Sequence, residues 1–146
     1  MKKAILFLLA ACITMGAVAA GPEVIEPQKL PHMAHKILAA YFAGDEVVEA
    51  HKEKSKMDIA FDARLASGAY LTFDKQGNWT SVTTTPAPLP KRLIPGKIIM
   101  FLNANNAKQC EDVVAIYHDR DTGNYTLLFA DASTLTFDEH YNLIEP

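Results

Sequence analysis

The chain has 146 residues, 49% of them hydrophobic, and carries 14 basic against 17 acidic side chains for a formal net charge of −3. That length suits one ordinary domain rather than two self-sufficient ones, because a unit of about 60 residues buries only about 60% of its unfolded surface. The mild acidity, with no basic stripe, excludes a nucleic-acid backbone as the partner.

The first element is a leader. Met1-Lys2-Lys3 is basic, Ala4 to Val18 is apolar, and Ala17-Val18-Ala19 supplies the small-x-small pattern before Ala20. Residues 1–20 therefore read as a signal peptide and 21–146 as the mature domain, with the periplasm as its location. Gly21-Pro22-Glu23 ends the run short of the about 20 apolar residues that a transmembrane anchor needs. Leu9-Ala10-Ala11-Cys12 offers a competing reading, a lipobox whose lipidated Cys12 would anchor the protein in the envelope, and contact with a membrane follows only from that reading. Once Cys12 leaves with the leader, Cys110 has no partner for an intrachain bridge. Glu111 and Asp112 beside it oppose a thiolate, so it reads as a small packed hydrophobe.

Residues 21–28, with Pro22 and Pro27, read as an extended arm. From Leu30 the apolar positions 30, 33, 34, 37, 38 and 41 keep the helical period, and Gly44 suits the stop. Val47 to Lys54 is strand-like. The mixed run of Glu49, Lys52, Glu53, Lys54 and Lys56 reads as a wet edge strand protected against aggregation. Met57 to Leu65 and Ala69 to Phe73 alternate, and Trp79 to Val82 makes a fourth strand. Thr83 to Pro90 is a linker. A second helix carries Leu93, Ile94, Ile98, Phe101 and Leu102, with a kink or restart at Pro95. Val113 to His118, Tyr125 to Phe129, Thr134 to Phe137 and a weak Leu143-Ile144 are the remaining strands, with Asp121-Thr122-Gly123-Asn124 as a hairpin turn.

The second half repeats the first. Leu71-Thr72-Phe73-Asp74 returns as Leu135-Thr136-Phe137-Asp138, Leu30-Pro31 as Leu89-Pro90, and Lys36-Ile37-Leu38 as Lys97-Ile98-Ile99. The expected fold is therefore α+β: a tandem repeat, about 28–83 and 88–146, of one helix followed by a four-stranded antiparallel meander, with the helices packed on one face of the sheet. Alternation turns Asp58, Ala60, Asp62 and Arg64 outward in one copy and Thr126, Leu128 and Ala130 in the other.

A leader, a helix headed by Leu-Pro, a meander, and a strand ending Phe73-Asp74-x-x-Gly77-x-Trp79, all duplicated, resemble the PepSY-like periplasmic proteins found mainly in Bacteroidetes. Their fold is similar to that of β-lactamase inhibitory protein. The resemblance covers about residues 28–146. The second copy departs from it, with Tyr141 and Leu143 where the first has Gly77 and Trp79. What the resemblance implies is a binding or inhibitory module without a specified target.

The motif residues have structural roles of their own: Phe73 in the core, Asp74 bonding the amides of the turn, Gly77 at positive φ, and Trp79 over the open end of the core. No catalytic pair accompanies Asp74 or Asp138. His32 and His35 have a metal-compatible spacing but flank the apolar stripe as solvated helix residues, so no metal or cofactor is expected. Tyr70, Tyr117 and Arg64 are the candidate partner-binding residues, chosen as hot-spot residue types on inferred exposed positions. The function expected is a non-enzymatic binding or inhibitor-like module, monomeric, that uses its outer sheet face to hold an envelope protein or peptide. The alternatives are a structural or stress-related envelope protein acting through self-assembly, or a metal carrier.

Overall fold

A computed structural model describes residues 21–105 and 108–144. The expected signal peptide and Cys12 lie outside these residues. β1 (Glu23–Ile25) is followed by α1 (His32–Tyr41), then β2 (Val47–Lys54), β3 (Ile59–Leu65), β4 (Tyr70–Phe73) and β5 (Trp79–Thr83). The chain continues through α2 (Gly96–Asn105) into β6 (Val113–His118), β7 (Tyr125–Phe129), β8 (Thr134–Phe137) and β9 (Leu143–Ile144).

The strands pair in chain order, every pair antiparallel, as one nine-stranded sheet. This corrects the expected tandem of helix-plus-four-strand meanders. Among the described residues the architecture is a single continuous sheet with two α-helices of ten residues each. Two physical reasons account for the difference. A free edge on β5 would leave backbone donors and acceptors unpaired, and β6 takes them up across the linker through Ser81↔Tyr117, Val82↔Ile116 and Thr83↔Ala115. The arm at the N-terminus is itself a strand, pairing Glu23, Val24 and Ile25 with Lys52, His51 and Ala50. β2 is therefore not the wet edge strand expected from its charges.

The helices are short for local reasons. α1 starts at His32, with Pro31 at its N-cap, and Leu30 is buried ahead of it. Pro95-Gly96 delays α2: Lys91–Leu93 forms a 3₁₀ turn and the α-helix restarts at Gly96. Ala34, Leu38, Ile98 and Leu102 bury against one face of the sheet. There, a register row of Ala50, Ala63, Leu71, Val82, Ile116 and Leu127 is at most 1% exposed. Phe101 of α2 meets Phe137 edge-on at 5.4 Å.

The turn after β4 docks on the start of α1. Gly77 has φ +94°, and a Cβ there would lie 2.8 Å from Pro31 Cβ and 2.9 Å from the Ala34 backbone nitrogen. Both the backbone angle and the close approach require glycine. Asp74 Oδ1 accepts the Gln76 and Asn78 amides at 3.0 and 2.9 Å, which fixes the turn. Asp138 does the same in the turn after β8, taking the His140 and Asn142 amides at 2.8 and 2.9 Å. There a non-glycine residue, Tyr141, adopts φ +68° and packs its ring 5.6 Å from Tyr125.

Candidate binding face

The side of the sheet away from the helices is uncovered among the described residues. Strand pleating puts every second residue there, and the registers join these residues into rows. One row crosses all nine strands, through Val24, His51, Asp62, Thr72 and Ser81 in the first half of the sheet. It continues through Tyr117, Thr126, Thr136 and Ile144 in the second. Eight strand spacings make it about 38 Å wide. A neighbouring row runs Glu49, Arg64, Tyr70, Thr83, Ala115, Leu128 and Thr134.

All three residues singled out from the sequence lie on this face. Arg64 and Tyr70 are direct cross-strand partners, with the guanidinium carbon 5.4 Å from the ring centroid. Tyr117 stands in the other row, two strands from Tyr70, and is 42% exposed. Tyr70 is more covered than its residue type suggested. Burial first, and then the nearby Asp62 carboxylate, push its phenol up to about 12.

The structure adds a polar network around this pair. His51 Nδ1 lies 2.8 Å from Asp62 Oδ1, and its Nε2 lies 3.3 Å from Glu49 Oε2. Glu49 Oε1 in turn lies 3.6 Å from Arg64 Nε. A His–Asp pair at this distance resembles the base and orienting group of a catalytic arrangement, but a carboxylate, not a nucleophile, faces the other ring nitrogen. Beside it the Thr72 hydroxyl is 2.6 Å from that of Thr80 and 2.7 Å from that of Ser81. These hydroxyls satisfy one another and stiffen the face.

Sequence reasoning missed Glu49 and His51, although a signal was present. Glu49, His51 and Glu53 share one parity in β2 and Lys52 and Lys54 the other, so the pleat sorts a mixed run into an acidic open side and a basic helix side. The registers place them so: Glu49, His51 and Glu53 pair with Arg64, Asp62 and Ala60, whereas Lys52 and Lys54 pair with Phe61 and Ile59.

Two of the recesses among the described residues border residues of this face. At the strand ends a cavity of about 530 Å³ is bounded by turns that carry Asp58, Asp74, Asp119 and Arg120. Three of its carboxylates are committed to their own turns: Asp58 accepts the Ile59 amide, Asp74 those of Gln76 and Asn78, and Asp119 those of Asp121 and Thr122, which hold the Asp119 carboxyl below the usual range. Arg120 donates to the Trp79 carbonyl at 3.1 and 2.5 Å and lies over the Trp79 ring, pinning β5 to the turn after β6. Next to this turn, His118 stacks on Tyr125 at 4.0 Å, and burial followed by the Arg120 charge lowers its pKa. The second recess, about 250 Å³, is apolar and lined by Pro86, Val114, Leu128 and Phe129.

The remaining sequence candidates occupy structural or solvated positions. His32 and His35 are exposed on α1. Cys110 is buried, and burial raises its thiol pKa. Among the described residues no three His, Cys, Asp or Glu side chains group to hold a metal ion, and no helix is long and apolar enough to cross a membrane.

Comparison with known proteins agrees with the fold. A family model described as "Putative beta-lactamase-inhibitor-like, PepSY-like" matches residues 59–145. None of the curated proteins matches. Three solved structures, each described as a putative periplasmic protein, share the fold. One, from Bacteroides thetaiotaomicron and called calcium-regulated, is 24% identical, with a TM-score of 0.75 over 85% of this chain and 94% of its own. A second, from Bacteroides vulgatus, is 24% identical with a TM-score of 0.76, covering 88% of this chain and 98% of its own. A third, of unknown function and from the same species, is 25% identical with a TM-score of 0.76, over 86% and 98%. Their periplasmic placement is the one read from the leader. The matched stretch takes in more than half the chain, including the Phe73-Asp74-x-x-Gly77-x-Trp79 motif, and the protein belongs to the PepSY-like family.

Proposed function

We propose that this is an exported, non-enzymatic binding module of inhibitor-like type that holds an envelope protein against its open sheet face. The observation that carries the reading is the uncovered face itself: two rows of side chains on a rigid sheet, one of them crossing all nine strands, with Tyr117 exposed near the centre. A preorganised surface of this kind binds without a large ordering cost, and an exposed aromatic with Arg64 and Tyr70 beyond it has hot-spot chemistry. The family description supports the inhibitor-like class; fold alone does not carry β-lactamase inhibition over to this chain.

The short outer strands favour this reading over self-assembly. β1 has three residues between Pro22 and Pro27, and β9 has two, so neither edge offers a long template for another sheet. Light scattering is expected to give a monomer mass that does not rise with concentration.

The test immobilises residues 21–146 and recovers envelope proteins from an extract. It runs in parallel with the triple variant Arg64→Ala, Tyr70→Ala, Tyr117→Ala, which must first show an intact fold by circular dichroism. A protein held by the native chain and lost by the variant supports the reading. Equal retention by both overturns it.

A further inference from the structure

The pleat of β2 and β3 gives the open face a chemical polarity, and on the reading that this face docks a protein, that polarity specifies the partner. In the first half of the sheet the open side of β2 and β3 carries Glu49, Glu53 and Asp62, with Asp58 at the entry to β3. On the open positions of the two strands themselves Arg64 is the one permanent cation, with Lys56 in the turn beside Asp58, and Glu49 already lies 3.6 Å from Arg64. The lysines that would balance these acids in sequence, Lys52 and Lys54, belong to the opposite side of the same strand. In the second half the open positions of β6, β7 and β8 are uncharged: Tyr117, Thr126, Leu128, Thr134 and Thr136, with Ala115 fully buried in the same row.

We infer that the partner is a protein that presents basic side chains to β2 and β3 and an apolar side chain to the neutral half, next to Leu128. Charge complementarity supports the first contact: a surface with an excess of carboxylates and one engaged cation repels an acidic partner and steers a basic one. The 250 Å³ apolar recess bounded by Pro86, Val114 and Leu128 supports the second. It lies four strand spacings from β3, about 19 Å, within the width of a standard protein–protein interface and beyond the reach of a single side chain.

The experiment uses residues 21–146 and two fluorescein-labelled twelve-residue peptides of one design, Lys and Thr alternating around a central Leu, and the same with Glu for Lys. Binding is read by anisotropy at low and at physiological salt. The Lys peptide is expected to bind, and its affinity to fall about tenfold between the two salts, as exposed charges are screened within about 8 Å. Glu49→Gln with Glu53→Gln is expected to weaken it by about tenfold at low salt. Glu111→Gln with Glu139→Gln removes the same net charge from loops and is expected to leave it within about twofold. Equal binding of the two peptides, absent binding of the Lys peptide, or equal losses in both double variants overturns the inference. The docking reading is tested separately. An envelope protein lost by the Arg64, Tyr70 and Tyr117 variant but retained in full by the Glu49 and Glu53 variant leaves the face as the site and refutes the basic partner.

Discussion

The two halves of the one continuous sheet are both antiparallel and differ in what the pleat presents. β2 to β4 face outward with Glu49, His51, Asp62, Arg64 and Tyr70 linked by contacts of 2.8–3.6 Å and a stacked cation, whereas β6 to β8 face outward with hydroxyl and aliphatic groups. The turns differ in the same way. After β4 the chain closes on Gly77 pressed against α1, and after β8 it closes on Tyr141 pressed against Tyr125. The comparison separates what the fold needs from what the surface is free to vary. An aspartate that accepts two turn amides occurs in both halves, while the outward chemistry belongs to each half alone.

The sharpest way to break the comparison is at the turns. Gly77→Ala is expected to destabilise by about 2–3 kcal/mol, because it adds a left-handed backbone penalty to a Cβ contact inside 3 Å with backbone that cannot give way. A drop of roughly 10 °C in melting temperature is the readout. Tyr141→Gly relieves the same backbone penalty while removing a ring, and its net effect is expected to stay within about 1 kcal/mol. If the two substitutions cost the same, close approach to α1 is not what fixes glycine at position 77.

A smaller effect is expected from the aspartates. Asp74→Ala orphans two amides, one in a partly buried bond, and is expected to cost about 1–2 kcal/mol. Asp138→Ala opens a turn at the surface and is expected to cost less. Its pH dependence gives a second check. The Asn142 and His140 amides hold the Asp138 carboxyl below its usual range, so its contribution is complete above the unfolded carboxylate value near 4 and is lost as pH falls through the folded value. Melting curves of the native chain and of Asp138→Asn should therefore converge in acid.

The strands were legible in the sequence because half-buried strands alternate. Met57 to Leu65 and Ala69 to Phe73 announce β3 and β4, and parity alone turns Arg64, Tyr70 and Tyr117 to the same side. The single continuous sheet was not legible. Whether β5 ends a unit or pairs with β6 depends on backbone groups that carry no residue-type signal, and the arm with two prolines gives three residues of β1 no alternation to display. The His51–Asp62 contact needed the register of β2 against β3, which runs unbroken from the turn closed by the Ser55 amide on the Asp58 carbonyl up to Glu49. Reading the charges of β2 as one mixed run hid the sorting that the pleat performs.

The smallest expected effect tests whether the charged half is as tightly knit as its geometry implies. Tyr70 lies partly buried between Arg64 and Asp62, and burial, followed by that carboxylate, moves its phenol from the usual 10 to about 12. Raised above its unfolded value, the group contributes stability that is complete below pH 10 and is lost as pH climbs toward 12. In a spectrophotometric titration of the folded protein, a phenol should still be ionising near 12, and Tyr70→Phe should remove that step while barely changing the melting temperature at neutral pH. Asp62→Asn then separates the causes. If burial dominates, most of the upward shift survives loss of the carboxylate; a titration that returns to 10 would make the Asp62 charge the main cause and place Tyr70 in open solvent. That outcome would also remove the argument that this half of the face is preorganised, since a phenol free in water exerts no hold on Arg64 beside it.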